Sequence, residues 1–85
     1  MAAYRVALAK RAITALEHIS EPYYSELKVA IYALADAPRP PGCKKLKGRA
    51  GYRVRVGDYR VIYTIHDGNL LVEVIALGHR KDIYR

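Results

Sequence analysis

Three arginines in the second half of the sequence are spaced to meet on one face of a β-hairpin. Residues Tyr52–Val56 alternate apolar and basic side chains, so Arg53 and Arg55 point to the same face of a strand. The Gly57-Asp58 pair that follows is suited to a two-residue hairpin loop. Such a loop places Arg55 directly opposite Arg60 on the next strand. We call the surface formed by Arg53, Arg55 and Arg60 the arginine face.

The facing pair Arg55 and Arg60 is unfavourable for folding. Like charges opposite each other across a β-ladder destabilise a sheet, and the one carboxylate close by in the sequence is Asp58, in the turn itself. This conflict favours a functional site in which a bound anion lies between the guanidinium groups and neutralises them. The alternative is that the arginines form the solvated face of an amphipathic hairpin. A structure with Arg55 and Arg60 on opposite faces would exclude the anion site.

Metal-dependent hydrolysis is not expected, because it needs clustered carboxylates or histidines. The candidate ligands are isolated or lie in different predicted elements: Asp58, Asp67, Glu73, His18, His66 and His79. The single Cys43 has no partner for a disulfide and no base to activate it. The sequence therefore predicts neither a metal ion nor a cofactor.

RNA cleavage without a metal is a chemistry that these residues permit. The 2′-hydroxyl attacks its own neighbouring phosphate, so the protein supplies geometry, proton transfer and positive charge. Guanidinium groups present planar, multidentate donors to phosphate oxygens. Four arginines suit this charge role: Arg53, Arg55, Arg60 and Arg80. Arginine stays protonated and is a poor base, so His79 is the candidate general base or acid. Tyr84 is suited to stacking on a nucleobase or positioning the hydroxyl.

The distribution of charge points to the same kind of ligand. The 85 residues carry a net charge of +7, and residues 44–60 hold seven basic side chains against one acidic one. Such clustering favours a polyanionic partner, whereas a merely solubilising surface spreads its charges. Nucleic acid, a membrane surface and an acidic protein are the candidate partners. Beside the arginine face, this window contains four candidate RNA-binding residues: Lys44, Lys45, Lys47 and Arg49.

Nothing in the sequence indicates secretion or a membrane span. The N-terminus lacks the charged and apolar segments of a signal peptide. No stretch approaches the roughly 20 apolar residues of a transmembrane helix. The composition shows no break, so we expect one domain over residues 1–85, in a cytoplasmic protein without a membrane partner.

The elements that position these residues follow from periodicity. Alternation over Tyr4–Leu8 is typical of a strand, and apolar residues over Lys10–Ile19 fall on one helical face. Ser20 is expected to cap a second helix that ends near Ala35. The segment Pro38–Gly42 cannot continue a helix and is predicted to be an extended connector.

Three strands are predicted after the connector. They are Tyr52–Val56, Tyr59–Ile65 and Leu70–Leu77, with two-residue loops at Gly57-Asp58 and Asp67-Gly68. The order β-α-α-β-β-β is that of an α+β fold, with two antiparallel helices on one mainly antiparallel sheet. The last strand is apolar on both faces and is expected to be central. Its end runs back toward the first turn, which brings three further residues to the rim of the arginine face: His79, Arg80 and Tyr84.

Motifs across the second half of the chain resemble the RelE toxins of bacterial and archaeal toxin–antitoxin systems. These motifs are Lys45-Leu46-Lys47-Gly48, Tyr52-Arg53-Val54-Arg55-Val56, Gly57-Asp58-Tyr59-Arg60-Val61-Ile62-Tyr63, and Gly78-His79-Arg80 followed by Ile83-Tyr84. The resemblance implies a toxin that enters the ribosomal A site and cleaves the messenger RNA there. It also implies neutralisation by a cognate RelB-like antitoxin, and contact with operator DNA only through the toxin–antitoxin complex.

The resemblance assigns roles residue by residue. Catalytic positions of the family match Arg53, Arg55, Arg60, Arg80 and Tyr84, and Lys45 and Lys47 match positions expected to contact ribosomal RNA. Some members carry lysines where Arg53 and Arg55 stand, which puts a lysine general base in doubt for this chain. Some members also continue beyond the final tyrosine.

Two other functions are compatible with the same sequence. The ParE toxins share the architecture but poison DNA gyrase, and they generally lack this full set of basic residues and tyrosine. A toxin homologue that binds RNA or an antitoxin without cutting is the third possibility.

Overall fold

Two helices pack on one face of a five-stranded sheet in the computed structural model, which describes residues 4–81. In chain order the elements are β1 (Arg5–Leu8), α1 (Lys10–Glu17), α2 (Tyr23–Ala33), β2 (Lys44–Lys45), β3 (Tyr52–Val56), β4 (Tyr59–His66) and β5 (Leu71–His79). The predicted α+β fold and its β-α-α-β-β-β order are confirmed. Within residues 4–81, no helix is both long and apolar enough to cross a membrane.

The strands lie in the order β1-β5-β4-β3-β2 across the sheet. β1 runs parallel to β5, and the other neighbouring strands pair antiparallel. The expectation that the last strand is central is confirmed, because β5 lies between β1 and β4. The sequence does not predict β2, because two consecutive lysines show no alternation.

The core lies between the helices and one face of the sheet. The helices contribute the buried residues Ala12, Leu27 and Ile31, and Leu34 joins them just after the end of α2. β4 and β5 contribute Val61, Tyr63, Val72, Val74 and Leu77. Each fully buried Leu, Ile or Val side chain stabilises the fold by about 1.5–3 kcal/mol relative to exposure. Since alternate residues of β3 and β4 are committed to this core, their basic neighbours project from the other face of the sheet.

The start of α2 differs from the prediction. Ser20 does not cap the helix with its side chain: α2 begins at Tyr23 after Pro22, which makes no side-chain capping bond. The carboxylate of Glu21 instead accepts hydrogen bonds from the Ser25 backbone N–H at 3.0 Å and the Ser25 hydroxyl at 2.7 Å. These bonds lower the pKa of Glu21. A carboxylate in this position satisfies a free N–H of the first turn, as a cap would.

One of the two predicted tight turns is confirmed. Gly57-Asp58 joins β3 to β4 with Val56 opposite Tyr59, and Gly57 has a φ of +62° that favours glycine. The predicted two-residue loop at Asp67-Gly68 is wrong. β4 ends at His66 and β5 begins at Leu71, and a short 3₁₀ turn fills the connection. The carbonyl of Leu70 accepts the Arg5 N–H at 2.8 Å, so β1 holds this longer turn.

Gly51 closes the loop between β2 and β3. Its carbonyl accepts the Leu46 N–H at 2.9 Å, and its own φ is +126°. A Cβ at this position would lie 3.0 Å from the carbonyl oxygen of Tyr63 and 3.1 Å from Leu46 Cδ1. The Tyr63 carbonyl belongs to β4 and cannot move without disturbing the sheet, so only glycine fits here.

We expect Gly51→Ala to lower the free energy of unfolding by about 2 kcal/mol or more, because it combines backbone strain with a clash. Gly48→Ala is the matched control: Gly48 also has a positive φ, of +78°, but a Cβ added there would meet nothing within 4 Å. This control should lose only about 1 kcal/mol. Urea unfolding measures both values, and equal losses would contradict the role given to the close approach.

Candidate nucleic-acid interface

The arginine face exists, and its register is the predicted one. Arg55 lies directly opposite Arg60 in the β3–β4 ladder. Lys44 of β2 lies directly opposite Arg53, which adds a second facing pair of like charges. Since residues paired across an antiparallel ladder share a face, all four basic side chains project from the side of the sheet opposite the helices. Sequence reasoning missed the place of Lys44, because the pairing partner of so short a strand has no sequence signal.

An apolar floor separates the basic residues of this face. Ile62 pairs with Arg53 on one side and with Ala76 on the other, and it is 1% exposed although it lies outside the core cluster. Ala76 is also buried, at 7% exposure. Charges beside an apolar, water-poor surface are screened less than charges in bulk water. Arg53 and Arg60 are only partly exposed, so salt screens their charges less than those of the exposed Lys44 and Arg55.

The end of β5 reaches the Gly57-Asp58 turn, as predicted. Gly78 lies opposite Arg60, and the Arg80 N–H donates to the Asp58 carbonyl at 2.8 Å. The backbone of Arg80 is thus fixed beside the turn that carries Arg55 and Arg60. Tyr84, the remaining candidate of the C-terminal motif, lies outside the described residues.

A bulge in β5 decides which side chains face the arginines. Tyr63 pairs with Val74 but Ile62 pairs with Ala76, so Ile75 is an extra residue that reverses the alternation of β5. Without the bulge, Ala76 would point to the same face as Val74. With it, Leu77 and His79 share the face of Val74, and Ala76 and Gly78 lie on the opposite face. If the alternation continues one residue past His79, Arg80 falls on the same side of the sheet as the arginine face.

The same bulge corrects the expectation for His79, which does not lie at the rim of the arginine face. His79 pairs with Tyr59, and its ring contacts the Tyr59 ring edge-on with centroids 5.7 Å apart. Tyr59 in turn contacts Tyr23 of α2 at 5.3 Å. His79 therefore belongs to the helix side of the sheet. The geometry gives no support to its role as the general base or acid.

The other candidate RNA-binding residues form a separate basic loop. Lys45 lies opposite Tyr52 and so points away from Lys44. Lys47 and Arg49 are exposed in the loop that Gly51 closes. We call Lys45, Lys47 and Arg49 the basic loop. It lies at the sheet edge formed by β2 and extends the positive surface beyond the arginine face.

A polar network that sequence reasoning missed anchors the connector before β2. Arg39 Nη2 lies 2.9 Å from Asp67 Oδ2, and Arg39 Nε donates to the Tyr52 hydroxyl at 3.2 Å. The Tyr4 hydroxyl donates to Asp67 as well. Hydrogen bonds from Arg39 and then Tyr4 lower the pKa of Asp67. No sequence signal predicts this network, because Arg39 and Asp67 are distant in sequence and the connector and turn patterns that contain them do not indicate a contact between the two.

The buried end of the connector is fixed by Tyr63. Its hydroxyl donates to the Pro38 carbonyl at 2.8 Å, and burial raises the pKa of this phenol. Because Pro38 and Arg39 are both attached to the sheet, the chain enters β2 from a fixed direction. Among residues 4–81, no three His, Cys, Asp or Glu side chains gather where they could hold a metal ion.

Comparison of the sequence with family models places the chain in a known family. Residues 6–84 match the model described as the ParE toxin of the type II toxin–antitoxin system parDE. The chain belongs to this family, which lies within the RelE/ParE superfamily of toxins. A comparison with curated proteins gave no significant match.

RelE toxins and their complexes are among the solved structures that resemble this fold. A chain of the archaeal RelE–RelB complex from Pyrococcus horikoshii has a TM-score of 0.83 and 29% identity, covering 94% of this chain and 98% of its own. The isolated E. coli RelE toxin has a TM-score of 0.78 and 25% identity, and the match covers 91% of this chain and 84% of the E. coli chain. A chain of the RelB–RelE complex from Methanococcus jannaschii has a TM-score of 0.74 and 26% identity, and the match covers 92% of this chain and 94% of that one. The resemblance to RelE toxins seen in the sequence is confirmed.

We expect Arg55→Thr to raise the free energy of unfolding by about 0.2–1 kcal/mol, because it removes one of two like charges that face each other. Arg5→Thr is the matched control, since Arg5 is an exposed strand arginine opposite Leu71 and faces no like charge. Urea unfolding should show little change for this control. A loss of stability in Arg55→Thr would contradict repulsion across the pair.

The Arg39–Asp67 ion pair predicts a specific acid sensitivity. A lowered pKa in the folded state means that Asp67 stabilises the fold above its unfolded pKa of about 3.9, and that this contribution disappears as the pH falls through the lowered value. We therefore expect Asp67→Asn to be less stable than the unsubstituted protein at neutral pH. The difference should shrink below about pH 4.

Thermal unfolding between neutral and acidic pH measures this difference, with Asp36→Asn as a control at another exposed aspartate. A difference between Asp67→Asn and the unsubstituted protein that stays constant down to the lowest pH would show that the carboxylate charge is not the stabilising feature.

Proposed function

We propose that this protein is the toxin of a type II toxin–antitoxin pair and that it cleaves messenger RNA in the ribosomal A site. The observation that carries the proposal is the double row of facing cations on the arginine face. Lys44 faces Arg53 and Arg55 faces Arg60. Facing like charges of this kind lower the stability of a sheet. An RNA strand that lies across both facing pairs places its phosphates between the cations. The phosphates neutralise the positive charges and relieve the repulsion, and this relief contributes to binding.

The proposed reaction is attack by the 2′-hydroxyl of the RNA on its neighbouring phosphate. The 2′-oxygen gives up its proton and bonds to phosphorus, and the bond from phosphorus to the 5′-oxygen of the next nucleotide breaks. That 5′-oxygen takes up a proton, and the products are a 2′,3′-cyclic phosphate and a 5′-hydroxyl. Negative charge builds up on the phosphorane, and Arg53, Arg55, Arg60 and Arg80 stabilise it through charged hydrogen bonds. Tyr84 matches a catalytic position of the family, and its proposed role is to stack on a base or to position the hydroxyl. The reaction requires no metal ion or cofactor.

The basic loop supports the ribosome as the place of action. Lys45, Lys47 and Arg49 point away from the arginine face or stand beyond it, so the phosphates they contact are not those at the cut. Ribosomal RNA supplies phosphates on more than one side of a protein in the A site. We propose that the basic loop contacts this RNA while the arginine face holds the message.

A RelB-like antitoxin is the proposed protein partner. The solved structures from P. horikoshii and M. jannaschii are complexes of RelE with RelB, and a net charge of +7 favours an acidic protein. We propose that the antitoxin neutralises this toxin in the cytoplasm. Operator DNA is then contacted only through the antitoxin complex.

A gyrase poison is the second candidate function, because the matching family model is described as a ParE toxin. A fold shared by two groups of toxins does not by itself select the target. The arginine face favours RNA, since clustered guanidinium groups suit phosphate oxygens. A homologue that binds RNA or antitoxin without cutting is the third candidate.

The test adds purified protein to ribosomes translating a defined message and maps the new RNA ends, with a gyrase supercoiling assay in parallel. We expect ribosome-dependent cuts at codon positions and unchanged supercoiling. An intact message together with blocked supercoiling would favour the ParE function. An intact message with normal supercoiling would favour the inactive homologue.

Arg80→Ala should lower the rate of cleavage by on the order of 100-fold or more, because it removes one preorganised donor to the phosphorane. Arg11→Ala is the matched control, since it removes the same charge from the exposed surface of α1. This control should cut at nearly the unsubstituted rate, and both variants should still bind the antitoxin. Equal activities of Arg80→Ala and Arg11→Ala would exclude Arg80 from the site.

A further inference from the structure

We infer that His79 is a positioning residue for Arg80: its imidazole holds the backbone on the C-terminal side of Arg80 from the opposite face of the sheet. The inference rests on the proposed cleavage activity and goes beyond it, because no feature of the family resemblance gives His79 this task. It replaces the general base or acid role that the sequence suggested for this residue.

The His79 ring is fixed by its neighbours on the helix side. It stands edge-on to Tyr59, its partner in the β4–β5 ladder, and Tyr59 packs against Tyr23 at the start of α2. Edge-to-face contacts of this kind contribute about 0.5–1.5 kcal/mol beyond the area they bury. Tyr23 also lies beside the turn, since its Cε1 atom would be in ordinary van der Waals contact, at 3.7 Å, with a Cβ at Gly57. The ring is therefore a rigid support beside the turn.

The imidazole also receives a hydrogen bond from the main chain. The Lys81 backbone N–H points to His79 Nδ1, with a distance of 3.2 Å between the two nitrogens. An imidazole nitrogen accepts such a bond only when it carries no proton, so a neutral ring here has its proton on Nε2. This bond spans Arg80, because its two ends lie on the residues immediately before and after it.

Arg80 is consequently held from both sides. Its own N–H donates to the Asp58 carbonyl at 2.8 Å, and the next N–H donates to the His79 ring. The two bonds fix the backbone just past the last strand, where a chain would otherwise fray. A fixed backbone keeps the Arg80 guanidinium in position to stabilise the phosphorane. This position matters, because a misplacement of about 1 Å can lower a rate by about 100-fold.

The positioning role predicts different effects for two substitutions, His79→Asn and His79→Gln, that introduce the same amide group. In His79→Asn the side-chain oxygen occupies the position of Nδ1 and can accept the Lys81 N–H. In His79→Gln the amide group lies one carbon further out, near the position of Nε2, and cannot. Neither amide accepts a proton as a general base does.

The experiment compares both variants with the unsubstituted protein in two ways. Steady-state cleavage of a ribosome-bound message gives kcat and KM. Amide hydrogen exchange of the free protein, followed by NMR, gives the protection of Lys81, with the Arg80 amide as internal reference. We expect His79→Asn to keep kcat within about threefold and to protect Lys81. We expect His79→Gln to lower kcat by about tenfold at unchanged KM and to expose the Lys81 amide.

Three results would overturn the positioning role. If both variants lose activity to the same extent while Lys81 stays protected in His79→Asn, His79 acts on the reacting atoms. If both keep full activity, Arg80 needs no support from the ring. If Lys81 exchanges freely in the unsubstituted protein, the hydrogen bond is absent in solution. An unsubstituted protein that cuts no message contradicts the proposed function instead, and the exchange data then report on the hydrogen bond alone.

Discussion

The two-residue turn at Gly57-Asp58 is the constraint on which the arginine face depends. A slip of one residue in the β3–β4 pairing would turn every side chain of a strand to the other face of the sheet. The turn prevents the slip, because it leaves Val56 opposite Tyr59 and Arg55 opposite Arg60. Burial of Val61 and Tyr63 against the helices reinforces the same register. Hydrophobic burial on one face of the hairpin thus determines where the charge stands on the other.

The bulge at Ile75 extends this constraint to the end of β5. Val72, Val74 and Leu77 all reach the core although Leu77 is out of step with the other two, which only an extra residue between them permits. The shift brings Leu77 into the core, and the same alternation continued past His79 assigns Arg80 to the side of the arginines. Bulges are common beside functional sites because they re-aim side chains without breaking a sheet. One extra residue here serves core packing and site assembly together.

The parts of this fold that could be predicted are those with local signals. Alternation and a glycine turn were enough to place Arg55 opposite Arg60, and the hairpin pairing of the last strand was enough to place Arg80 near the turn. The side of the sheet on which His79 lies could not be predicted. β5 is apolar on both faces, so its sequence shows no break in alternation that would indicate the bulge. The Arg39–Asp67 pair was equally hidden, because it depends on a contact between distant segments.

Folding and function make opposite demands on the two faces of one hairpin. The face toward the helices follows every rule of sheet stability, with β-branched and aromatic residues packed on a dry core. The other face breaks the rule against facing like charges twice, at Lys44–Arg53 and at Arg55–Arg60. Each such pair costs a few tenths of a kcal/mol to about 1 kcal/mol, which is less than one buried leucine contributes. A chain of this size can therefore keep an electrostatically unfavourable surface. Local rules broken on one face of a hairpin are expected at a functional site, and the two facing pairs lie on the surface where we propose that phosphates bind.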